Sequence, residues 1–406
     1  MDVNLALDLL AGLSPAQFMR RHWQKKPLLV RQAVPGIQPI LSRIALFKLA
    51  SDEHVESRLI TQQGNGWNMK QGPFSARGMP PLSQPGWTLL VQGVDIHVSK
   101  AHALLQKFRF VPDARLDDLM ISFATPDGGV GPHFDSYDVF LLQASGRRRW
   151  KIGRQKDLTL QEGVPLKILQ NFEPEEEFVL EAGDMLYLPP RYAHDGVAEA
   201  TVGPDGKAAD CMTYSIGFRA PNRSELAAEL LHRLAEFSED EADPDLPSNA
   251  SVRPAKYSPR LYRDSTQPAT ATPAAIPPGL TMFATQAVLE ALKDPRALGC
   301  ALGEHMSGLK PSVWFEEPLQ AWNSGLANTS HSGLELDVRS RMLYDDEHVF
   351  INGESYRAKG ADARLMRRLA DQRILSPRDL QSASDAAVAL LGDWHDAGWL
   401  RQSTAN

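Results

Sequence analysis

Apolar and polar positions change their period along the chain, and those changes divide it. Leu5, Leu9 and Leu10, followed by Phe18 and Trp23, lie in a polar, helical opening that runs to about residue 50 and includes a strand-like PLLV at 27–30. Between 85 and 218 short β-rich runs take over: WTLLVQ at 87–92, LMISFA at 119–124, DVFLLQ at 138–143, RRWKI at 148–152 and MLYLP at 185–189, separated by Gly and Pro turn signals. Such spacing predicts an antiparallel β-sandwich or barrel. From Asn222 the period is helical again, with Leu226, Leu230 and Leu234 on one face and Leu231 widening it, up to about Phe237. Residues 239–279, rich in Pro, Ala, Ser and Thr, read as a linker that holds no dense core. Helical stretches resume at 283–308. Beyond Pro311, LELDVRSRMLYDDEHVFINGESYRA predicts two or three strands around an Asn352-Gly353 turn, followed by helices at 361–371 and 384–398.

Composition narrows the class. A chain of 406 residues that is 43% hydrophobic and 23% charged has material for two or three domains. No apolar run approaches the ~20 residues that span a bilayer. The first residues lack the basic, apolar and small-residue succession of a secretory signal. Two cysteines, Cys211 and Cys300, make no disulfide framework, so a cytoplasmic protein is expected. With 43 basic and 50 acidic side chains, the net charge of -7 disfavours a whole-surface grip on nucleic acid and leaves room for a basic partner.

The chemistry concentrates in GGVGPHFDSYDVFLLQASGRRRW, where His133 and Asp135 stand two apart, the spacing that puts both side chains on one face of a strand. His194 follows in EAGDMLYLPPRYAHDG, after a Gly183-Asp184 turn and a strand ended by Pro189-Pro190. Alone, H-x-D reads as an ordinary surface turn. Joined by the distal histidine and a basic hairpin, it reads as two imidazoles and one carboxylate, the facial set of non-haem Fe(II) oxygenases, whereas zinc favours a closed four-ligand site.

GPHFDSYDVFLLQASGRRRW, EAGDMLYLPPRYAHDGVA and the N-terminal HWQKKPLLV together resemble the JmjC-type cupin oxygenases that depend on 2-oxoglutarate. Within that group the chain is similar to the bacterial ribosomal oxygenase branch, the arginine 3-hydroxylases of the sixteenth protein of the large ribosomal subunit. The likeness is close over residues 15–220 and looser beyond. It implies a β-rich α+β chain in three parts. Residues 1–220 would be a double-stranded β-helix (cupin/JmjC) catalytic domain with an N-terminal helical segment. Residues 221–308 would be a helical dimerisation region with the Pro-rich linker, and 309–406 a C-terminal winged-helix-like domain. It also implies Fe(II) on His133, Asp135 and His194, 2-oxoglutarate as co-substrate, a homodimer and a ribosomal protein substrate.

An anchor for the far carboxylate of 2-oxoglutarate should be a cation, since that group must be neutralised in a dry pocket. In GRRRW, alternation after Gly146 sends Arg148 and Trp150 to one face and Arg147 and Arg149 to the other; Trp150 belongs inside, so Arg148 is the anchor, which the family pattern also uses. The family often has a hydroxyl residue helping that carboxylate where this chain has Ala124; either Ser122 or Thr125 substitutes, or that help is absent. A guanidinium substrate needs a carboxylate and an apolar or aromatic wall. Asp118 and Met120 share strand parity with Ser122, and Tyr137 shares parity with His133 and Asp135. The resemblance places Asp118, Tyr137 and Ser215 around the substrate arginine.

Two other readings stay open: a metal-binding cupin regulator whose winged helix contacts DNA, and a JmjC demethylase. The matched Arg148 disfavours the first, and the lack of chromatin-reader modules the second. The candidate recognition stretch ADARLMRRLADQR has only a modest positive surplus, which argues against direct nucleic-acid binding.

Overall fold

Side chains alternate across a strand, so a sheet with two unlike neighbours needs two unlike sets of residues. That rule organises the first half of the chain. The computed structural model describes residues 2–64, 66–202, 206, 209–240, 262, 274, 276–316, 318 and 333–403. Two compact units emerge, Met1–Ala220 and Pro221–Asn406.

The first unit contains β1 (Leu28–Val30), β2 (Ser57–Gln63), β3 (Gly66–Gln71), β4 (Trp87–Val91), β5 (Leu116–Ala124), β6 (Val139–Ser145), β7 (Arg147–Gly153), β8 (Glu176–Glu181), β9 (Met185–Leu188), β10 (Ala193–Glu199) and β11 (Cys211–Phe218). An eight-stranded sheet runs β1-β9-β6-β11-β5-β4-β2-β3, and a three-stranded sheet runs β10-β7-β8. On the large sheet, Leu119, Ile121 and Phe123 of β5, Phe140 and Leu142 of β6 and Tyr214 of β11 join one core with Leu10, Phe18, Leu46 and Leu105 from the helical elements. The helices include α1 (Pro15–Arg21), α2 (Arg43–Leu49) and α3 (Ser99–Leu105). Ser14 starts α1 with a capping box, its side chain accepting from the Gln17 N–H while the Gln17 side chain accepts from Ser14. The opposite parity, Val139, Leu141, Leu186 and Leu188, packs against Trp150, Ile152 and Leu180 of the small sheet. One face therefore carries the helices, and the other encloses a space between sheets.

The strands at 87–92, 119–124, 138–143, 148–152 and 185–189 are observed within a residue or three of their expected bounds. The β2-β3 hairpin was not expected, because Thr61, Gln62, Asn68 and Gln71 dilute the apolar alternation that marks a strand.

In the second unit, α4 (Arg223–Asp240), α5 (Pro278–Ala291) and α6 (Pro295–Ser307) precede the C-terminal elements. The Leu230 and Leu234 side chains meet Ala297, Leu298 and Ala301 of α6. The apolar stripe of α4 is thus covered in part within the chain itself, by α6. Most of the linker at 239–279 lies outside the described residues. Further on, β12 (Gly333–Leu336) pairs with β16 (Ile374–Leu375) and β17 (Leu400–Ser403), while β13 (Met342–Tyr344), β14 (His348–Ile351) and β15 (Glu354–Arg357) form a second sheet. The Asn352-Gly353 turn joins β14 to β15, both residues at positive φ (53° and 94°). Helices α7 (Gly360–Gln372), α8 (Pro377–Gln381) and α9 (Asp385–Asp396) close a core around Leu369, Leu391 and Trp394. Among the described residues no helix is long and apolar enough to cross a membrane.

One buried carboxylate ties the first unit's entry segment to its sheet. Asp138 accepts from the Tyr187 hydroxyl (2.6 Å) and from Gln24 Nε2 (3.1 Å), with Arg115 Nη2 at 3.7 Å. Burial pushes its carboxyl above the ordinary value, while the Tyr187 and Gln24 bonds and the charge of Arg115 pull the other way. Asp138→Ala strands those donors, so unfolding free energy should fall by about 2–3 kcal/mol. A denaturation midpoint unchanged from wild type would contradict that placement.

Candidate metal centre

Two stretches of chain far apart in sequence are fastened together by their histidines. The His133 N–H donates to the His194 carbonyl (2.9 Å), and the His194 N–H donates to that of His133 (2.8 Å). His194 lies in β10 with its side chain in the inter-sheet space, 3% exposed. The ligand atoms of His133, Asp135 and His194 lie within 4.8 Å of one another, and no other such group of three occurs among the described residues.

The strand geometry expected for H-x-D is corrected by the structure. Residues 134–138 form no strand, and β6 begins at Val139. The backbone bonds there go to the turn before His194: the Asp135 carbonyl accepts from the Arg191 N–H at 2.7 Å, with Arg191 at φ 63°. Asp135 therefore meets the histidines through a loop, its Oδ2 lying 3.7 Å from His194 Nε2. Tyr137 likewise owes its place to the loop and not to strand parity. The residue is 38% exposed. Burial of the hydroxyl, the charge of Asp135, a hydrogen bond to Asp135 and the charge of Asp118 together raise its pKa, and Arg58 opposes them.

Each imidazole has a fixed tautomer. His133 Nδ1 is 2.8 Å from the Gly131 carbonyl and His194 Nδ1 is 2.9 Å from the Tyr192 carbonyl. A carbonyl can only accept, so each Nδ1 carries the proton and each Nε2 keeps its lone pair. Two imidazoles presenting Nε2 and a carboxylate at this separation suit a divalent metal and leave further coordination positions open.

On the same inner face of the small sheet as His194 stands a buried cation. Gly146, at φ 65°, turns β6 into β7, where Arg148, Trp150 and Ile152 face inward. Arg147 and Arg149 point away, Arg147 toward Glu181 (3.6 Å) and Glu199 (3.4 Å), Arg149 bonded to Glu177 and Glu199. Arg148 is 3% exposed, with its guanidinium 5.7 Å from the Trp150 ring. Its Nε and Nη2 are buried and have no hydrogen-bond partner among the described residues. Burying such donors unpaired is unfavourable, and a carboxylate would complete them. Gly196 lets the Trp150 ring cross β10, since a Cβ there would lie 2.5 Å from a ring carbon, and the ring reaches 5.9 Å from His194.

The hydroxyls considered as helpers differ in what they bond. Ser122 Oγ donates to the Thr213 carbonyl at 3.3 Å. Thr125, expected at the co-substrate, is engaged with the backbone of Trp87, accepting from its N–H and donating to its carbonyl, each at 3.3 Å. Ala124 is packed with Ala198 and Cys211.

Asp118, Met120 and Ser215 are brought together on the inward faces of β5 and β11, Met120 directly opposite Ser215. Asp118 Oδ2 accepts from the Gly93 N–H at 3.1 Å, and its charge is felt at Tyr137. Two further residues line this space, neither of them singled out by local sequence pattern. Trp67 lies against Gly131, a Cβ at which would come within 3.0 Å of its ring, and Thr88 faces inward from β4. A threonine at the inward position of WTLLV was the available signal for Thr88.

A family profile described as the JmjC domain matches residues 103–226, and one described as the ROXA-like winged helix matches 287–401. Over 343 residues the chain is 33% identical to the ribosomal protein uL16 3-hydroxylase of Escherichia coli (strain K12), covering 83% of this chain and 84% of that protein. The chain belongs to the JmjC ribosomal oxygenases. A probable ribosomal oxygenase of Haemophilus influenzae is 37% identical over 219 residues, 53% of this chain and 52% of its own. The crystal structure of E. coli YcfD matches this ribosomal oxygenase with a TM-score of 0.78 at 29% identity, covering 96% of this chain and 98% of that one. YcfD in complex with cobalt and 2-oxoglutarate matches with a TM-score of 0.74 at 28% identity, with the same coverage. The winged-helix match begins at 287, inside the helical part of the second unit.

Burial, then the charge of His133, pushes the His194 imidazole down to about 4, against the opposing charge of Asp135. An unfolded histidine titrates near ~6.5, so between these values the unfolded chain binds a proton that the folded, metal-free chain does not. Metal-free stability should therefore fall by up to about 3 kcal/mol as pH drops through that window. Denaturation midpoints compared with those of His194→Gln check this; equal pH slopes in the two proteins would contradict it.

Proposed function

We propose that this ribosomal oxygenase is an Fe(II)- and 2-oxoglutarate-dependent hydroxylase that adds a 3-hydroxyl to an arginine of ribosomal protein uL16. The observation that carries this reading is the triad of free ligand atoms beside a buried arginine with two unpaired nitrogens. His133, Asp135 and His194 would hold the iron on one face. When bound, the metal and its 2-oxo acid supply the oxidation: decarboxylation to succinate and CO2 is coupled to insertion of oxygen into a C–H bond.

The protein's own groups bind and orient. Arg148 would neutralise the far carboxylate of the co-substrate, and Trp150 walls that side of the site. Tyr137, bonded to Asp135, orients the carboxylate ligand. The apolar residues Val139, Leu141, Leu186 and Leu188 keep water from the inter-sheet space. Asp118, Met120, Tyr137 and Ser215 would receive the substrate arginine, with Asp118 facing its guanidinium.

Residues 1–220 would then be the catalytic domain, 221–308 the dimerisation region and 309–406 the winged-helix-like domain. A homodimer is supported by α5, a helix of 14 residues with no buried side chain although Leu280, Met282, Phe283, Val288 and Leu289 lie along it. Such a helix needs cover, and a second copy is the partner the family resemblance names. The winged-helix arginines support a role away from nucleic acid: Arg367 donates to the Asp345 and Asp346 carbonyls, both at 2.9 Å, and Arg368 pairs with Asp379. The compartment we assign is the cytoplasm, where the substrate protein is made.

Wild-type protein with Fe(II) and 2-oxoglutarate should add one oxygen atom to an arginine of uL16, located by peptide mass spectrometry. His133→Ala should abolish the product, with at least about a thousandfold loss, because two remaining ligands hold the metal poorly. Unmodified uL16 after prolonged incubation with active wild-type protein would sink the substrate assignment. Phe283→Glu combined with Leu289→Glu should convert dimers to monomers in light scattering. A wild type already monomeric at micromolar concentration would contradict the dimer.

A further inference from the structure

Among the described residues, Thr88 is a fully buried threonine whose hydroxyl bonds to nothing. The register of three strands says what it faces. Thr88 is directly paired with Ala124 across β4 and β5. Ala124 shares a small buried cluster with Ala198 and Cys211, its partner across β5 and β11. Ala198 is in turn paired with Arg148 across β10 and β7. Paired residues share a face, so Thr88, Ala124, Ala198 and Arg148 follow one another around the inner wall. At one end is a guanidinium with two unpaired nitrogens, and at the other an unpaired hydroxyl.

We propose that Thr88 supplies the hydroxyl that hydrogen-bonds the far carboxylate of 2-oxoglutarate beside Arg148, replacing the hydroxyl this chain lacks at Ala124. The proposal rests on the co-substrate reading above. Its competitors are occupied, Ser122 with the Thr213 carbonyl and Thr125 with the Trp87 backbone. The Ala124 methyl leaves the space between that a larger residue would fill. A buried hydroxyl without a partner weakens a fold, and in a strand that otherwise reads WTLLV a valine would serve packing better. Thr88 is thus unfavourable for the empty protein and useful to the filled one.

The test uses the full chain loaded with Mn(II) and kept free of oxygen, with binding of 2-oxoglutarate followed by calorimetry. Thr88→Val should weaken 2-oxoglutarate about 10- to 100-fold, the range for a hydrogen bond to a charged group. It should leave Mn(II) affinity, and binding of 2-oxobutyrate, which lacks the far carboxylate, within about twofold. The melting temperature of the ligand-free protein should rise. Thr88→Ser should bind like wild type, and Ala124→Ser added to Thr88→Val should recover most of the loss. If Thr88→Val binds 2-oxoglutarate like wild type while Arg148→Ala does not, Thr88 is the wrong residue and the co-substrate site stands. If Thr88→Val weakens metal and both acids alike, its role is structural and the proposal falls. If Arg148→Ala has no effect, or wild type binds no 2-oxoglutarate, the site reading fails and takes the proposal with it.

Discussion

The reciprocal backbone bonds between His133 and His194 are the constraint from which the rest of the site follows. They hold a loop of the chain against the first residues of β10, although 61 positions separate the two histidines. With the backbones fixed, each ring is oriented by a carbonyl two residues earlier in its own segment, Gly131 for one and Tyr192 for the other. Asp135 is then brought in by its carbonyl bond to Arg191. Three candidate ligands converge because main-chain bonds, whose geometry is narrow, place them, and side-chain rotamers need only follow.

The opposing feature is electrostatic. The two arginines flanking Arg148 are answered by Glu177, Glu181 and Glu199, whereas Arg148 itself is buried with two nitrogens unanswered. Left alone, that arrangement weakens the fold, since a guanidinium removed from water needs a partner of opposite charge. Arg148 stands on the small sheet, and the large sheet opposite it keeps a continuous core with the N-terminal helices on its outer face. Stability resides on that outer face of the large sheet and the candidate chemistry in the space between the two sheets. An anionic ligand should therefore stabilise the protein as well as react in it, by the ordinary linkage of binding to folding.

Much of this was legible in the residues. Alternation in GRRRW placed Arg148 inside and its neighbours outside, since Trp150 had to be inside, and the spacing of H-x-D and the distal histidine marked the three residues that the structure brings together. The path between them was less legible. Strand parity was the wrong reason for Asp135 and Tyr137 to lie near His133, because the bonds that shape 134–138 come from a turn more than fifty residues away. Long-range pairing also concealed Thr88. Nothing local to WTLLVQ says that its threonine stands across from Ala124, and a register has to be seen before a hydroxyl in one strand can be matched to a missing one in another. In the helical region, periodicity showed that Leu230 and Leu234 needed cover but could not name α6 as what covers them.

On the reading proposed above, the triad and Arg148 together bind a metal and a 2-oxo acid as one site. Anaerobic absorption spectroscopy tests it most directly, because a 2-oxo acid chelating Fe(II) through its keto and carboxylate oxygens gives a visible metal-to-ligand charge-transfer band. Fe(II) alone or 2-oxoglutarate alone should leave the protein colourless, and the two together should produce the band at one equivalent of each. Iron that binds without the band appearing on addition of 2-oxoglutarate would contradict the claim.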